Sequence, residues 1–346
     1  MSSDTATGGA AFAAADAKLR AATSVLVMAH ASPDGDCLGS ALGTRRALEL
    51  IGKQAVAYCH DPMRPELQFL PGAAELLDSQ ALADLIGGDG PLPFDLVVAV
   101  DTGDERLLGE FYAQQRDRIR QAPLVTFDHH RSNARYGDID VLIDRYGSCG
   151  EVLADFFATC GYELDADAAT CLLTGIITDT NHFRIPDTSA HSFRTAAALV
   201  DQGARMTEIN ENLMVLDSVG LAKLKARLLA GLRTDFDGKI AWLAIDNDEL
   251  GRAARAEDKL ASTLASYLRS LRGVEVGAVF IAGGDGAVKM SLRGRAGTNV
   301  VAAASDWGGG GHVTAAGASA AGHSLEAVVR RTITRLAEAN AEHFAR

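Results

Sequence analysis

The chain has 346 residues, of which 47% are hydrophobic and 23% charged, with a formal net charge of −12. This length exceeds what one hydrophobic core readily serves, which predicts two domains, and the composition excludes a disordered or collagen-like chain. The negative charge opposes binding to long duplex nucleic acid, which depends on counterion release from a basic face, so any phosphate substrate is expected to be small.

Residues 2–10, rich in alanine and glycine, read as a frayed tail with no basic start and no leucine-rich core of a signal peptide. Short apolar runs at 24–29, 95–100 and 124–127 predict buried parallel strands. All apolar runs fall far short of the ~20 residues that span a bilayer, so no membrane segment is expected. The segment 38–51 has apolar residues at helical spacing and stops at Gly52, which suggests a strand followed by a helix in a βαβ arrangement. Ser148-Cys149-Gly150-Glu151 fits a capping box that opens a helix through Phe157, ended near Gly161. Another helix is expected over 165–177.

Between 203 and 219 the alternation of strand and helix lapses, which marks a connector. The resulting division is 15–203 for a first, metal-binding domain, 204–220 for the connector and 221–341 for a second domain. The second shows strands at 240–245, 274–281 and 287–293, then a glycine-rich loop and a last helix from 325 to about 337. The fold class is therefore α/β, with a parallel sheet flanked by helices and a smaller α/β domain after it. Cys37, Cys59, Cys149, Cys160 and Cys171 form no CxxC pair, and an odd count suits reduced, mostly buried thiols in a cytoplasmic protein.

Each of the first three strands runs into metal-competent residues at its C-terminal end, where open α/β sheets bind ligands. The first reaches His30, Asp34 and Asp36, the second Asp101, and the third Asp128, His129 and His130; Asp179 follows the helical segment 171–178. Singly, each has a plainer role, such as capping a turn or lying on the surface. Jointly they place carboxylates and imidazoles from four segments at one sheet edge, which favours a metal site. Aspartate and histidine together suit Mn²⁺, Co²⁺ or Zn²⁺, and the excess of carboxylate points to Mn²⁺ or Mg²⁺. Five or six ligands exceed one structural zinc, and two cations about 3.5–4 Å apart are the recurring arrangement for phosphoester hydrolysis. In the second half, Lys289, Ser291, Arg293 and Arg295 recur at period two, opposite Met290 and Leu292. The following run Gly308-Gly309-Gly310-Gly311-His312 is either a flexible turn or a close backbone approach to an anion.

These segments resemble the DHH phosphoesterase superfamily. The match covers most of the chain: His30-Ala-Ser-Pro-Asp34-Gly-Asp36-Cys-Leu-Gly-Ser40, Val98-Ala-Val-Asp101-Thr-Gly-Asp104, Asp128-His129-His130 and Gly175-Ile-Ile-Thr-Asp179-Thr-Asn-His-Phe183 resemble its ordered motifs. Ser291-Leu-Arg293 and Gly308 to Gly317 resemble the DHH-associated domain. The resemblance implies an active site in the cleft between the domains. It implies that His30, Asp34 and Asp101 bind one divalent cation and that Asp36, Asp101, His129 and Asp179 bind another, with Asp101 as the bridge. The ions would be Mn²⁺, with Mg²⁺ or Co²⁺ as alternatives. By the same resemblance, His130 faces the substrate phosphate, Asp128 orients the ligand imidazole, and Arg293, His312 and Gly309, Gly310 and Gly311 hold the substrate.

The two-domain form is similar to short-oligonucleotide nucleases that also convert 3′-phosphoadenosine 5′-phosphate to AMP. The expected partners are thus short RNA, dinucleotides and that bisphosphate; a homodimer is compatible with the sequence. Hydrolysis of cyclic dinucleotides or their linear products is the alternative within the superfamily, and a silent nucleotide-binding module is the alternative outside enzymes. His182, where a small residue is usual, and Val313, where a basic one is frequent, depart from the pattern and bear on substrate preference.

Overall fold

The computed structural model describes residues 9–345 apart from 89, 186, 215–217 and 258–259. The chain forms two compact units, Met1–Leu216 and Asp217–Arg346. In the first, β1 (Ser24–Met28), β2 (Gln54–Tyr58), β3 (Leu96–Val100), β4 (Leu124–Asp128) and β5 (Ile139–Leu142) pair in parallel, in the order β2-β1-β3-β4-β5. Around them lie α1 (Gly9–Ala21), α2 (Gly35–Leu50), α3 (Ser79–Ile86), α4 (Glu110–Ile119), α5 (Cys149–Thr159), α6 (Ala166–Asp179), α7 (Ala190–Asp201) and α8 (Met206–Met214).

The three central strands are buried on both faces, which is why they read as unbroken apolar runs. Val25, Val27, Val98, Val100, Val125 and Phe127 face a core shared with α1, α2, α5 and α6. Leu26, Met28, Val97, Ala99 and Leu124 face a second core, with Leu82 and Ile86 of α3 and Tyr112 and Ile119 of α4. The strand order reverses between β1 and β3, so the crevice at their C-terminal ends is the topological switch point of the sheet.

The three expected strands and the helices at 38–51 and 165–177 form, within a few residues of the expected bounds. Ser148 caps α5 by accepting from the Glu151 N–H at 3.1 Å, but Glu151 buries its carboxylate without returning the bond, so the capping box is one-sided. Two edge strands, β2 and β5, escaped the sequence reading because neither carries a long apolar run. Two expectations need correction. Gly9 and Ala10 of the supposed tail open α1, which buries Phe12, Ala15 and Leu19; residues 2–8 lie outside the described part. The supposed connector contains α8, and residues 215–217 of it lie outside the described part. Its Met206, Ile209 and Leu213 stand at helical spacing, but Met206 is exposed and only Ile209 is buried in the core, so the pattern is weak.

The second unit has β6 (Arg233–Asp235), β7 (Ile240–Ile245), β8 (Val276–Ala282), β9 (Ala287–Gly294), β10 (Gly310–His312) and β11 (Ala315–Ala321), in the order β10-β11-β9-β8-β7-β6. β7 and β8 run parallel and the other pairs antiparallel. Its helices are α9 (Val219–Leu229), α10 (Glu249–Ala256), α11 (Leu260–Ser270), α12 (Val301–Ser305), α13 (Leu325–Ala339) and the short α14 (Ala341–Phe344). One face of the sheet packs Leu243, Val279 and Ile281 against Leu264 and Leu268 of α11. The other packs Ile240, Phe280, Met290 and Leu292 against Val328, Ile333 and Leu336 of α13.

Candidate metal centre

Six of the residues singled out from the sequence converge where β1, β3 and β4 end. Asp101 is the centre of the cluster. It leaves β3 with φ at +53°, a left-handed conformation that a non-glycine residue adopts only when the surroundings hold it there. Its N–H donates to the Phe127 carbonyl at 2.8 Å, which ties the turn to β4. The buried carboxylate sits between two imidazoles, 3.7 Å from His30 Nε2 and 3.5 Å from His129 Nε2. His129 Nε2 is also 3.3 Å from Asp179 and 3.9 Å from Asp36. Asp34 lies at the rim, 3.9 Å from His30 Nε2, and caps α2 by accepting from the Cys37 N–H at 3.0 Å.

Asp36 is delivered by helix packing. Gly35, Gly39 and Gly43 recur every fourth residue on α2, and an added Cβ on Gly39 would lie 2.3 Å from the Cys171 carbonyl oxygen of α6. This glycine ridge lets α6 approach closely and carries Asp179 at its last turn to the cluster; the G-x₃-G-x₃-G spacing was a signal the sequence reading passed over. Asp36 itself, fully buried, accepts from the Cys149 N–H at 2.6 Å, the Gly150 N–H at 2.9 Å and the Ser40 hydroxyl at 3.3 Å. The first two belong to the N-terminus of α5, whose free N–H groups and dipole favour an anion.

Both candidate ligand imidazoles are oriented by backbone carbonyls. His30 Nδ1 bonds the Ala31 carbonyl at 2.7 Å and His129 Nδ1 bonds that of Tyr146 at 3.2 Å, which leaves each Nε2 turned to the carboxylates. This corrects the expectation for Asp128. Its Oδ1 bonds His130 Nδ1 at 2.7 Å and accepts the His129 N–H at 2.8 Å, while Oδ2 accepts from Asn133 at 2.5 Å. Asp128 therefore fixes the His130 ring and the loop, and leaves the His129 ring to Tyr146.

The electrostatics follow from crowding carboxylates into a buried space. Burial alone would lower the imidazoles, but Asp101, Asp34 and the Ala31 carbonyl push His30 up to about 9. Against the same burial, Asp101, Asp36 and Asp179 push His129 up to about 10. Burial and the neighbouring Asp101 and Asp179 raise Asp36 well above the ordinary carboxylate range, and burial lifts Asp179 to about 6. For Asp101 burial works upward, yet His129 and His30 outweigh it and hold it low. The hydrogen bond that His130 donates to the Asp128 carboxylate raises His130.

Asp101 Oδ1 and His129 Nε2 are buried with no hydrogen-bond partner among the described residues. Orphaned buried polar atoms are costly unless something else satisfies them. Ligand atoms of Asp36, His129 and Asp179 lie within 4.8 Å of one another, as do those of Asp101, His129 and His130 and those of His30, Cys37 and Asp101. A carboxylate field strong enough to keep two imidazoles charged, with hard oxygen and imidazole donors converging, fits divalent cations. Cys37, expected from the sequence only as a reduced, buried thiol, lies beside the cluster. Its sulfur accepts the His30 N–H at 3.0 Å and burial pushes the thiol far up, so it acts as a packed, protonated support of the turn.

In the second unit, Arg293 is half-buried near the end of β9 and His312 is exposed at the end of β10. Lys289, Ser291 and Arg293 share one face, opposite Met290 and Leu292 in the core, but Arg295 lies beyond the strand. The run 308–311 is a loop only in part, since Gly310 and Gly311 begin β10. Added Cβ atoms on Gly309 and Gly311 would lie 2.2 Å and 2.4 Å from carbonyl oxygens of β11, so close strand packing demands glycine there, whereas Gly310 opens onto free space.

Comparison with known proteins gives the family. Residues 24–176 match the model of the DHH family N-terminal domain, and residues 238–338 match that of the DHHA1 domain. The bifunctional oligoribonuclease and PAP phosphatase NrnA of Thermus thermophilus is 30% identical, over 91% of this chain and 89% of that one. The cyclic-di-AMP phosphodiesterase GdpP of Geobacillus thermodenitrificans is 28% identical over 92% of this chain, but over only 47% of its own length. An exopolyphosphatase-related protein from Bacteroides fragilis shares the fold, with a TM-score of 0.80 at 20% identity and 98% of both chains covered. With its motif residues gathered at the switch point of a parallel sheet and a relative at this identity along nearly its whole length, the chain belongs to the DHH family of phosphoesterases and carries a DHHA1 domain after the DHH domain.

Proposed function

We propose that this protein hydrolyses short oligoribonucleotides to mononucleotides and 3′-phosphoadenosine 5′-phosphate to AMP, using two divalent cations, with Mn²⁺ the first choice. The observation that carries the reading is Asp101, a buried carboxylate set between His30 and His129 with one oxygen unpartnered. The relative from Thermus, whose name states both activities, supports the substrate class.

His30, Asp34 and Asp101 would hold one cation, and Asp36, Asp101, His129 and Asp179 the other. When bound, such a pair lowers the pKa of a bridging water and neutralises charge on the phosphate. The remaining work falls to the chain. Asp36 is fixed in place by the N–H groups of α5, and the Ala31 and Tyr146 carbonyls lock both imidazoles so that Nε2 is the free donor atom. His130, its Nδ1 engaged by Asp128, offers Nε2 to a phosphate oxygen as a proton-bearing hydrogen-bond donor. Arg293 and His312 would hold the rest of the substrate. The net charge of −12 disfavours long polyanions, in keeping with small esters. Reduced cysteines suit a cytoplasmic setting; none of the described helices is long and apolar enough to cross a membrane.

The similarity to the cyclic-di-AMP phosphodiesterase keeps cyclic dinucleotides as a second substrate class. Time courses on a labelled dinucleotide, a pentanucleotide, phosphoadenosine phosphate and a cyclic dinucleotide separate the two. Wild-type protein with Mn²⁺ should be fastest on the shortest linear RNA, and should be inactive with chelator or as Asp101→Ala. Activity that survives Asp101→Ala would refute the metal assignment, and preference for the cyclic substrate would refute the oligoribonuclease reading.

A further inference from the structure

The carbonyl that turns His129 belongs to a loop, the stretch between β5 and α5, so whatever fixes that loop fixes the ring. The Tyr146 carbonyl takes the His129 Nδ1 bond at 3.2 Å, and the Tyr146 N–H donates to the Ile143 carbonyl at 3.1 Å. The side chain of Tyr146 adds a second hold. Its hydroxyl donates to Asp155 Oδ2 of α5 at 2.5 Å, and its ring stacks on that of His191 of α7, with centroids 4.4 Å apart and planes 22° from parallel. His191 Nε2 closes the circuit, 3.2 Å from the same Asp155 oxygen.

The three side chains thus form a ring of contacts, from phenol to carboxylate, carboxylate to imidazole, and imidazole back to the face of the phenol. The hydrogen bond to Asp155 raises the His191 imidazole against its burial, which favours the charged ring. Asp155 and His191 are 29% and 27% exposed, and a lone ion pair so close to solvent would hold little. Here the pair shares one oxygen with the phenol and so leaves Tyr146 a single seat between α5 and α7. A clip that only joined two helices would not need the clipped residue to supply the acceptor for a candidate ligand. The same helix holds Asp36 by the Cys149 and Gly150 N–H groups, and Asp36 lies 3.9 Å from His129 Nε2. One helix therefore sets both groups: the carboxylate by its first turn, the imidazole through Asp155 and Tyr146.

We propose that Asp155 and His191 are positioning residues for His129, acting through Tyr146 as a brace that presents His129 Nε2 to a divalent cation. The inference rests on the cation reading above and involves residues of the first unit alone. Without the phenol bond the Tyr146 carbonyl loses its fixed direction, and the His129 ring loses the acceptor that aims it. Cation affinity then falls although every candidate ligand is still present.

The test is titration calorimetry of Mn²⁺ into the metal-free full chain, with melting curves throughout, for wild type, Tyr146→Phe, Asp155→Ala, Asp155→Asn, His191→Ala, His129→Ala and the double variant Tyr146→Phe with His129→Ala. Tyr146→Phe keeps the carbonyl and the ring and loses only the phenol bond. It should weaken Mn²⁺ by about 10-fold, the lower end of the effect of groups that orient metal ligands. Asp155→Ala and His191→Ala should weaken it in the same direction, and Asp155→Asn, whose amide oxygen still accepts from the phenol, should recover part of the loss. In the His129→Ala background Tyr146→Phe should change nothing further, because the brace acts only through that ring. Wild-type affinity in Tyr146→Phe, Asp155→Ala or His191→Ala would overturn the brace. So would an equal loss from Tyr146→Phe with and without His129, the mark of a clip that merely supports the fold. Affinity indifferent to His129→Ala would overturn the cation reading as well, which separates the two failures.

Discussion

Adding Mn²⁺ to metal-free protein at pH 7 should expel close to two protons per chain. His30 is pushed up to about 9 and His129 to about 10, so both imidazoles are charged at neutral pH. A cation needs the Nε2 lone pair, so each proton must leave as the ion enters. Asp36, also raised by burial, can only add to the number. The sign is fixed by the direction of these shifts: apparent affinity strengthens as pH rises and levels off once both imidazoles are neutral. Between pH 6.5 and 8 the logarithm of the apparent Kd should fall by about two per pH unit. Titration calorimetry in Tris and in PIPES, whose heats of protonation differ, gives the proton count directly, and His129→Ala should expel about one proton fewer. Equal heats in the two buffers together with a flat pH dependence would refute the argument that these imidazoles are cation ligands held charged by the carboxylate cluster.

Asp36→Asn keeps the shape of the side chain but cannot accept from both Cys149 and Gly150. It should lower stability by about 1–3 kcal/mol, read in urea unfolding, and also weaken Mn²⁺ binding; unchanged stability would show that the α5 terminus does not depend on it. Gly39→Ala, whose Cβ would lie 2.3 Å from the Cys171 carbonyl, should destabilise the first unit by about 1–3 kcal/mol or more and reduce Mn²⁺ affinity by moving α6, whereas a neutral result would refute the glycine-ridge account. Gly309→Ala should lower the melting temperature and Gly310→Ala should not, because only the former meets a carbonyl oxygen, at 2.2 Å; equal effects would count against strand packing as the reason for glycine at 309.

Asp128 shows how far a motif can be read and where reading stops. The sequence places it beside His129 and His130, and adjacency suggests that it serves the ligand imidazole. The structure gives that task to the carbonyl of Tyr146, seventeen residues along, and gives Asp128 to His130 and Asn133. The difference lies in backbone direction after β4, which side-chain identities do not encode. Similarly, 308–311 reads equally as a flexible turn or an anion cradle until the register with β11 shows two of its glycines pressed against carbonyl oxygens.

Local sequence alone determined what depends on short range. Doubly buried strands betray themselves as unbroken apolar runs, helix ends by their caps, and a metal centre by carboxylates and imidazoles placed just after strands, since each is a property of a few consecutive residues. Only the tertiary structure decided which groups meet across long separations: Asp36 with the start of α5, and Asp179 with His129 through a glycine ridge. These two meetings follow from how helices and strands pack, and packing is set by the whole chain at once rather than by any segment of it.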